Sequence, residues 1–180
     1  LFRRPFFIRQ LFKQMEFIGV RSVTVVLLTG MFTGMVGALQ THYGFSLFGA
    51  ESLVGSTTAL GLLRELGPVL ASLMVTARAG SAMTAEIGTM RVTEQIDALT
   101  VMGVNPFQYL VTPRIIAAII MMPMLTLIFD SIGIVGSYLV GVKLLGIDSG
   151  IFMARIVEYV DYKDLFTGLT KATFFGVILS

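Results

Sequence analysis

Four ionisable side chains, Arg64, Glu65, Asp130 and Lys171, fall inside apolar runs of a chain in which 13% of the 180 residues are charged and 55% are hydrophobic. Soluble domains carry roughly 25% charged residues. In hydrocarbon each such group costs several kcal/mol unless it is paired or hydrated, and by default it marks a path for polar cargo. Arg64 and Glu65 stand almost halfway between Leu53 and Ala77, in the run Arg64-Glu65-Leu66-Gly67-Pro68. Pro68 cannot donate to the carbonyl of Arg64, so the helix is expected to bend where the charges sit. Two readings stay open. The four groups neutralise one another as a packing device, or they line a cavity in which Arg64 and Lys171 meet an anionic headgroup while the helix surfaces take acyl chains. A third chemistry, a lipid-modifying enzyme with Glu65 or Asp130 as general base, lacks nucleophile and metal ligands.

With no cysteine and one histidine, thiol catalysis and disulfide scaffolds are excluded and His-based metal sites nearly so. The net charge of +2 is no argument for nucleic acid, since the basic residues fall at helix ends and not on one solvated face. No G-x-x-x-x-G-K-[ST] loop occurs, so ATP is not hydrolysed by that route. Any work done must draw its energy from another chain.

The elements that carry these residues read as an all-α integral membrane protein in one domain, 1–180. Between Arg21 and Glu51 there is no Asp, Glu, Lys or Arg, and an apolar stretch there can cross a hydrocarbon core of about 30 Å. The spans are placed at 22–40, 53–78 and 114–142, with a fourth beginning at 165–180. The third contains Pro123, Asp130, Gly133 and Gly136 and is expected to tilt, kink or break. Leu1 is not Met and Ser180 falls within an apolar run, which predicts a longer natural chain. No signal peptide is read at the start.

Arg3, Arg4, Arg9, Lys13 and Arg21 precede the first span, while the loop from Thr41 to Ser52 has no Lys or Arg. The bias places the N-terminus in the cytoplasm. Residues 1–20 repeat Phe7, Leu11, Met15 and Ile18 at helical spacing, which reads as an interfacial helix with its apolar side in the lipid, or as a cytoplasmic extension of the first span. Gly30, Gly34 and Gly37 let another helix approach closely. The alternative is a groove that holds lipid.

After the second span comes a small-residue stretch ending at Glu86-Ile87-Gly88, then an amphipathic segment over 89–103. Val92, Ile96 and Leu99 share one side of it and Arg91, Glu94 and Gln95 another. Gly103 and Asn105-Pro106 end it. It is either a solvated turn or a docking element for a cytoplasmic partner.

Three runs, Leu63-Arg64-Glu65-Leu66-Gly67-Pro68-Val69, Ala77-Arg78-Ala79-Gly80-Ser81-Ala82-Met83-Thr84-Ala85-Glu86-Ile87-Gly88 and Met90-Arg91-Val92-Thr93-Glu94-Gln95-Ile96-Asp97-Ala98, resemble the MlaE-type permeases, membrane subunits of ATP-binding-cassette phospholipid transporters. Asn105-Pro106 and Pro113-Arg114 extend the match. The resemblance implies an interfacial helix, about five spans in the full chain, a homodimer, and an inner-membrane location. It implies a coupling helix over 89–103, with Glu86, Arg91, Glu94, Gln95 and Asp97 facing an ABC ATPase subunit that binds the ATP and Mg. This chain itself would hold no cofactor. Further implied partners are a periplasmic MCE-domain hexamer and a STAS-domain protein bound to the ATPase. The cargo would be phospholipid moved between the inner and outer membranes, held by a cavity of Gly34, Gly37, Gln40, Phe48, Arg64, Glu65 and Lys171. The rival is a non-transporting scaffold for the MCE assembly and its ATPase.

Overall fold

A computed structural model describes residues 8–103 and 105–179. The expectations for Arg3, Arg4 and Phe7 lie outside the described residues. Six helices and no strand make up the described chain: α1 (Ile8–Ser46), α2 (Glu51–Val92), α3 (Gln95–Val101), α4 (Phe107–Leu144), α5 (Ser149–Tyr159) and α6 (Tyr162–Leu179). Helices dominate because a chain surrounded by hydrocarbon must satisfy its backbone internally. By length and composition α1, α2 and α4 can each cross a membrane.

Close approaches at glycine define the packing. A Cβ on Gly34 would run into the carbonyl of Gly133, one on Gly136 would meet the carbonyl of Met31, and one on Gly30 would stand 2.8 Å from the carbonyl of Phe129. Rising numbers on α1 thus meet rising numbers on α4, so these helices run parallel with their backbones in contact. The glycine pair of the first span is spent on α4 of the same chain. Gly168 lies against the carbonyl of Leu63 and Gly80 against Leu179, which sets α6 parallel to α2. Gly176 meets the carbonyl of Ala118, and since Gly67 meets Asp130 while Glu86 meets Arg114, α2 and with it α6 run opposite to α4. With van der Waals contact as the main force between helices in lipid, these approaches take the place that a hydrophobic core has in water.

The buried side chains between the helices include Ile18, Val26, Leu62, Met122, Leu125 and Phe129. On the outside of α1, Leu28, Phe32 and Val36 are 57–61% exposed, a stripe at a spacing of four residues that suits acyl chains. Leu11, Met15 and Ile18, expected to face lipid, instead pack on this core, and Ile18 is fully buried. Helical spacing marks an apolar face without saying whether protein or lipid covers it. No break separates this stretch from the first span, although a wide, i to i+5 bonded turn falls at Glu16–Val20. Arg78 of α2 binds there, donating to the carbonyl of Phe17 at 3.1 Å and to Ser22 Oγ at 2.9 Å.

The segment 114–142 lies within one unbroken helix that passes through Pro123. Sequence reading missed α5, capped by Asp148, whose Oδ1 accepts from the Ile151 amide at 3.0 Å. Its Phe152 is fully buried against Gly55 and Gly141, edge-on to Tyr138. The following helix, α6, then starts at Tyr162, three residues before the predicted 165.

If backbone contact between α1 and α4 holds the fold, Gly34→Leu destabilises the protein by about 1–3 kcal/mol through overpacking. A methyl group added at Gly44 would meet nothing within 4 Å, so Gly44→Ala stabilises by up to about 1 kcal/mol through helix propensity. Thermal unfolding of the two variants in detergent is expected to move in opposite directions.

Candidate functional site

Leu62–Leu66 of α2 form a wide turn in which the Gly67 amide bonds to the carbonyl of Leu62. Such turns recur at functional sites. Pro68 follows and brings no amide hydrogen to the carbonyl of Arg64. Lys171 of α6 fills that vacancy, its Nζ donating to the Arg64 carbonyl at 2.9 Å and to Glu65 Oε1 at 2.7 Å. The bare surface of Gly168, one turn earlier on α6, is what brings the two backbones close enough.

The Arg64 side chain turns to the start of α6, where its Nε donates to Asp164 Oδ1 at 2.6 Å. Asp164 Oδ2 accepts from the Asp161 amide at 3.1 Å, and the carboxylate is 5% exposed. Asp164 was not among the residues expected at this site. The signal was there: Asp164 precedes Lys171 by seven residues, two helical turns, so both lie on one face with Gly168 between them. The cluster thus holds two cations and two carboxylates from two helices. It is balanced but not enclosed, since the Arg64 side chain is 57% exposed and that of Glu65 67%.

Asp130 does not join it. It is buried on α4 with Oδ1 against the backbone of Gly67, and that oxygen has no hydrogen-bond partner among the described residues. Of the first-span residues, Gly34 is buried against Gly133, and Gly37 sits beside Thr58, 3.2 Å from where its Cβ would be. Gln40 is exposed towards the end of α1, and Phe48 is exposed in the turn that follows it.

At the opposite end α2 continues to Val92, and the segment 89–103 divides at Thr93-Glu94 before α3 begins. Glu94 makes the corner with a left-handed backbone, φ 57°. Arg91 Nη1 reaches across the corner to Asp97 Oδ1 at 2.9 Å, while Gln95 and the apolar Val92, Val101 and Met102 are exposed. Glu86, its side chain half exposed, holds the buried Arg114 through Nη2 at 2.6 Å.

Residues 11–180 match the family described as Permease MlaE. The chain belongs to the MlaE permease family. It is 49% identical over its whole length to a probable ABC transporter permease protein of Rickettsia conorii, covering 70% of that protein. Over 171 residues it is 46% identical to the intermembrane phospholipid transport system permease protein MlaE of Haemophilus influenzae, covering 94% of this chain and 66% of that one. The chloroplastic protein TRIGALACTOSYLDIACYLGLYCEROL 1 of Arabidopsis thaliana is 38% identical over 172 residues, 96% of this chain and 49% of the relative. As an MlaE permease the chain is a membrane protein with a general transporter-permease role.

The bond from Lys171 to the carbonyl left free by Pro68 makes a thermodynamic prediction. Lys171→Met strands both that carbonyl and Glu65, at a cost of about 1–3 kcal/mol. Adding Pro68→Ala supplies an amide hydrogen for the same carbonyl, so the double variant is expected to be more stable than the sum of the single changes by about 1 kcal/mol. Reversible unfolding in mixed micelles of the four proteins of this cycle measures it, and strict additivity would contradict the assignment.

Proposed function

We propose that this chain is the permease subunit of an ATP-binding-cassette transporter that moves phospholipid between the inner and outer membranes and so maintains outer-membrane lipid asymmetry. The observation that carries the reading is the exposure of a charge-balanced cluster inside an apolar bundle. Arg64 and Glu65 are paired, yet more than half of each side chain is open. Hydrocarbon is a costly neighbour for such groups, so the open side must face water, a headgroup or a second subunit. A homodimer with the cluster towards its interior meets that demand. Phosphate would sit near Arg64 and Lys171, with acyl chains on the apolar flanks.

In this reading α1, α2, α4 and α6 are four spans of alternating direction, in line with their observed parallel and antiparallel contacts. Arg9, Lys13 and Arg21 keep the start of α1 in the cytoplasm, and the corner at Glu94 then lies there too. Its exposed apolar and polar residues, Arg91, Glu94, Gln95 and Asp97 among them, form the seat of the ATPase that binds ATP and Mg. Glu86 acts behind that seat, through Arg114. The MCE-domain hexamer sits on the periplasmic side, and the STAS-domain protein joins through the ATPase.

One observation favours the scaffold reading: every charge of the cluster already has a partner within the chain. Transfer assays separate the two. In proteoliposomes containing the whole complex, Arg64→Ala and Glu65→Ala are each expected to lower phospholipid transfer about tenfold, the effect of about 1.4 kcal/mol, while the partners still co-purify. Unchanged transfer in both variants would leave the scaffold. The ATPase seat is tested separately in this cysteine-free chain: a single cysteine at Arg91 or Glu94 is expected to cross-link to the ATPase in the active complex, and failure at both positions would remove the assignment.

A further inference from the structure

A second charged group is held among apolar walls, at the end of the bundle opposite α5. Arg114, on the first turns of α4, has a side chain only 5% exposed. Its Nη2 is taken by Glu86 Oε2 at 2.6 Å, and its Nη1 makes a long contact of 3.4 Å to the carbonyl of Met83. Its Nε is buried with no acceptor among the described residues. Arg114 lines a cavity of about 520 Å³ between α2, the start of α4 and the end of α6, walled by Leu73, Met83, Ile87, Phe175 and Ile178. Leu73 and Ile178 are 58% and 78% exposed, so the cavity opens between α2 and α6. Of the wall's hydroxyls, Ser72, Ser81 and Thr84 each donate to a carbonyl of their own helix, while Thr76 adds a further hydroxyl to the lining.

An unfilled donor beside an apolar slot describes its complement: an acceptor, preferably anionic, attached to an apolar tail. We propose that this cavity is a binding site for an acidic phospholipid of the cytoplasmic leaflet, its phosphate held by Arg114 and its acyl chains lying along Leu73, Phe175 and Ile178. Arginine suits the task because one planar fork can serve Glu86 through Nη2 and still hold an unfilled donor at Nε. Glu86 is the charged group facing Arg114 across the pair, and it sets the threshold by competing with the headgroup for the guanidinium. The inference rests on the reading of the chain as a lipid-handling permease and adds a second lipid site to it, remote from Arg64 and Lys171.

The test uses the full-length permease with a photo-cross-linking benzoylphenylalanine at Ile178, in phosphatidylcholine nanodiscs doped with phosphatidylglycerol. Phosphatidylglycerol is expected to be captured about fivefold above its share of the disc, a modest preference in free-energy terms. Arg114→Gln should bring capture down to that share, and Arg114→Lys should keep part of the enrichment. Glu86→Gln breaks the same ion pair but should raise capture. Equal losses in Arg114→Gln and Glu86→Gln would make the pair structural only and overturn the site, as would capture at the bulk share in the unaltered chain. Because capture is read without transport, a negative transfer result for Arg64 and Glu65 would sink the transport reading and leave this one standing.

Discussion

A carbonyl that proline deprives of its usual helical donor is the constraint around which the middle of this bundle is arranged. Proline in a helix interior removes one hydrogen bond and clashes with the preceding turn, a cost of about 3 kcal/mol. In a membrane that loss is not made good by water, so another part of the protein must answer the orphaned group. Here the answer is a cation: Lys171 reaches the Arg64 carbonyl and Glu65 together. One lysine thus satisfies a backbone defect and balances an acid. The wide turn that opens the backbone, the proline that frees the carbonyl and the charges that gather there are one device.

That device needs α6 to lie against α2 at backbone distance, and small residues make this possible. Gly168 faces Leu63, Gly176 faces Ala118, and on the far side of α4 the pairs Gly34 with Gly133 and Gly136 with Met31 do the same. A single Cβ at any of these positions would push helices apart and lengthen the polar bonds beyond useful range. Hydrogen-bonded charges in a bundle are therefore only as secure as the apolar contacts around them. The reverse also holds, because van der Waals packing does not fix the register of two smooth helices as a charged pair does.

Much of the fold was legible. Three of the apolar runs became long helices, and the depth of Arg64 and Glu65 in the second pointed to the cluster that Lys171 completes. What escaped has physical causes. Asp164 stands at the edge of its apolar run, so it counted as loop until the start of α6 was known. The stripe Leu11, Met15 and Ile18 is equally apolar whether covered by lipid or by α4, and a one-dimensional pattern cannot choose. The helix α5 hides because one buried side chain, Phe152, secures it, where periodicity needs several. Glu94 broke the amphipathic segment 89–103 with a left-handed corner that favours glycine or asparagine, and no propensity argument would place glutamate there.

The long helix α2 joins the two ends of the molecule. From Arg64 to Arg91 it spans 27 residues, about 40 Å at 1.5 Å per residue, without a loop between the charged cluster and the corner at Glu94. A stiff rod of this kind would carry a push at the corner to the cluster, whereas a loop would absorb it. Yet α2 is not uniformly stiff. Its wide turns at Leu62–Leu66 and Thr76–Gly80 are places where the bonding departs from the ordinary α pattern to a wider one. Each turn is tied to a neighbour by an arginine in it: Arg64 holds Asp164 of α6, and Arg78 holds Phe17 and Ser22 of α1. A shift of α2 along its axis must then strain one of these ties or change the register of the turn that carries it. Motion of the rod relative to α1 and α6 would therefore fall on those two turns, and the first of them is where Lys171 and Glu65 meet.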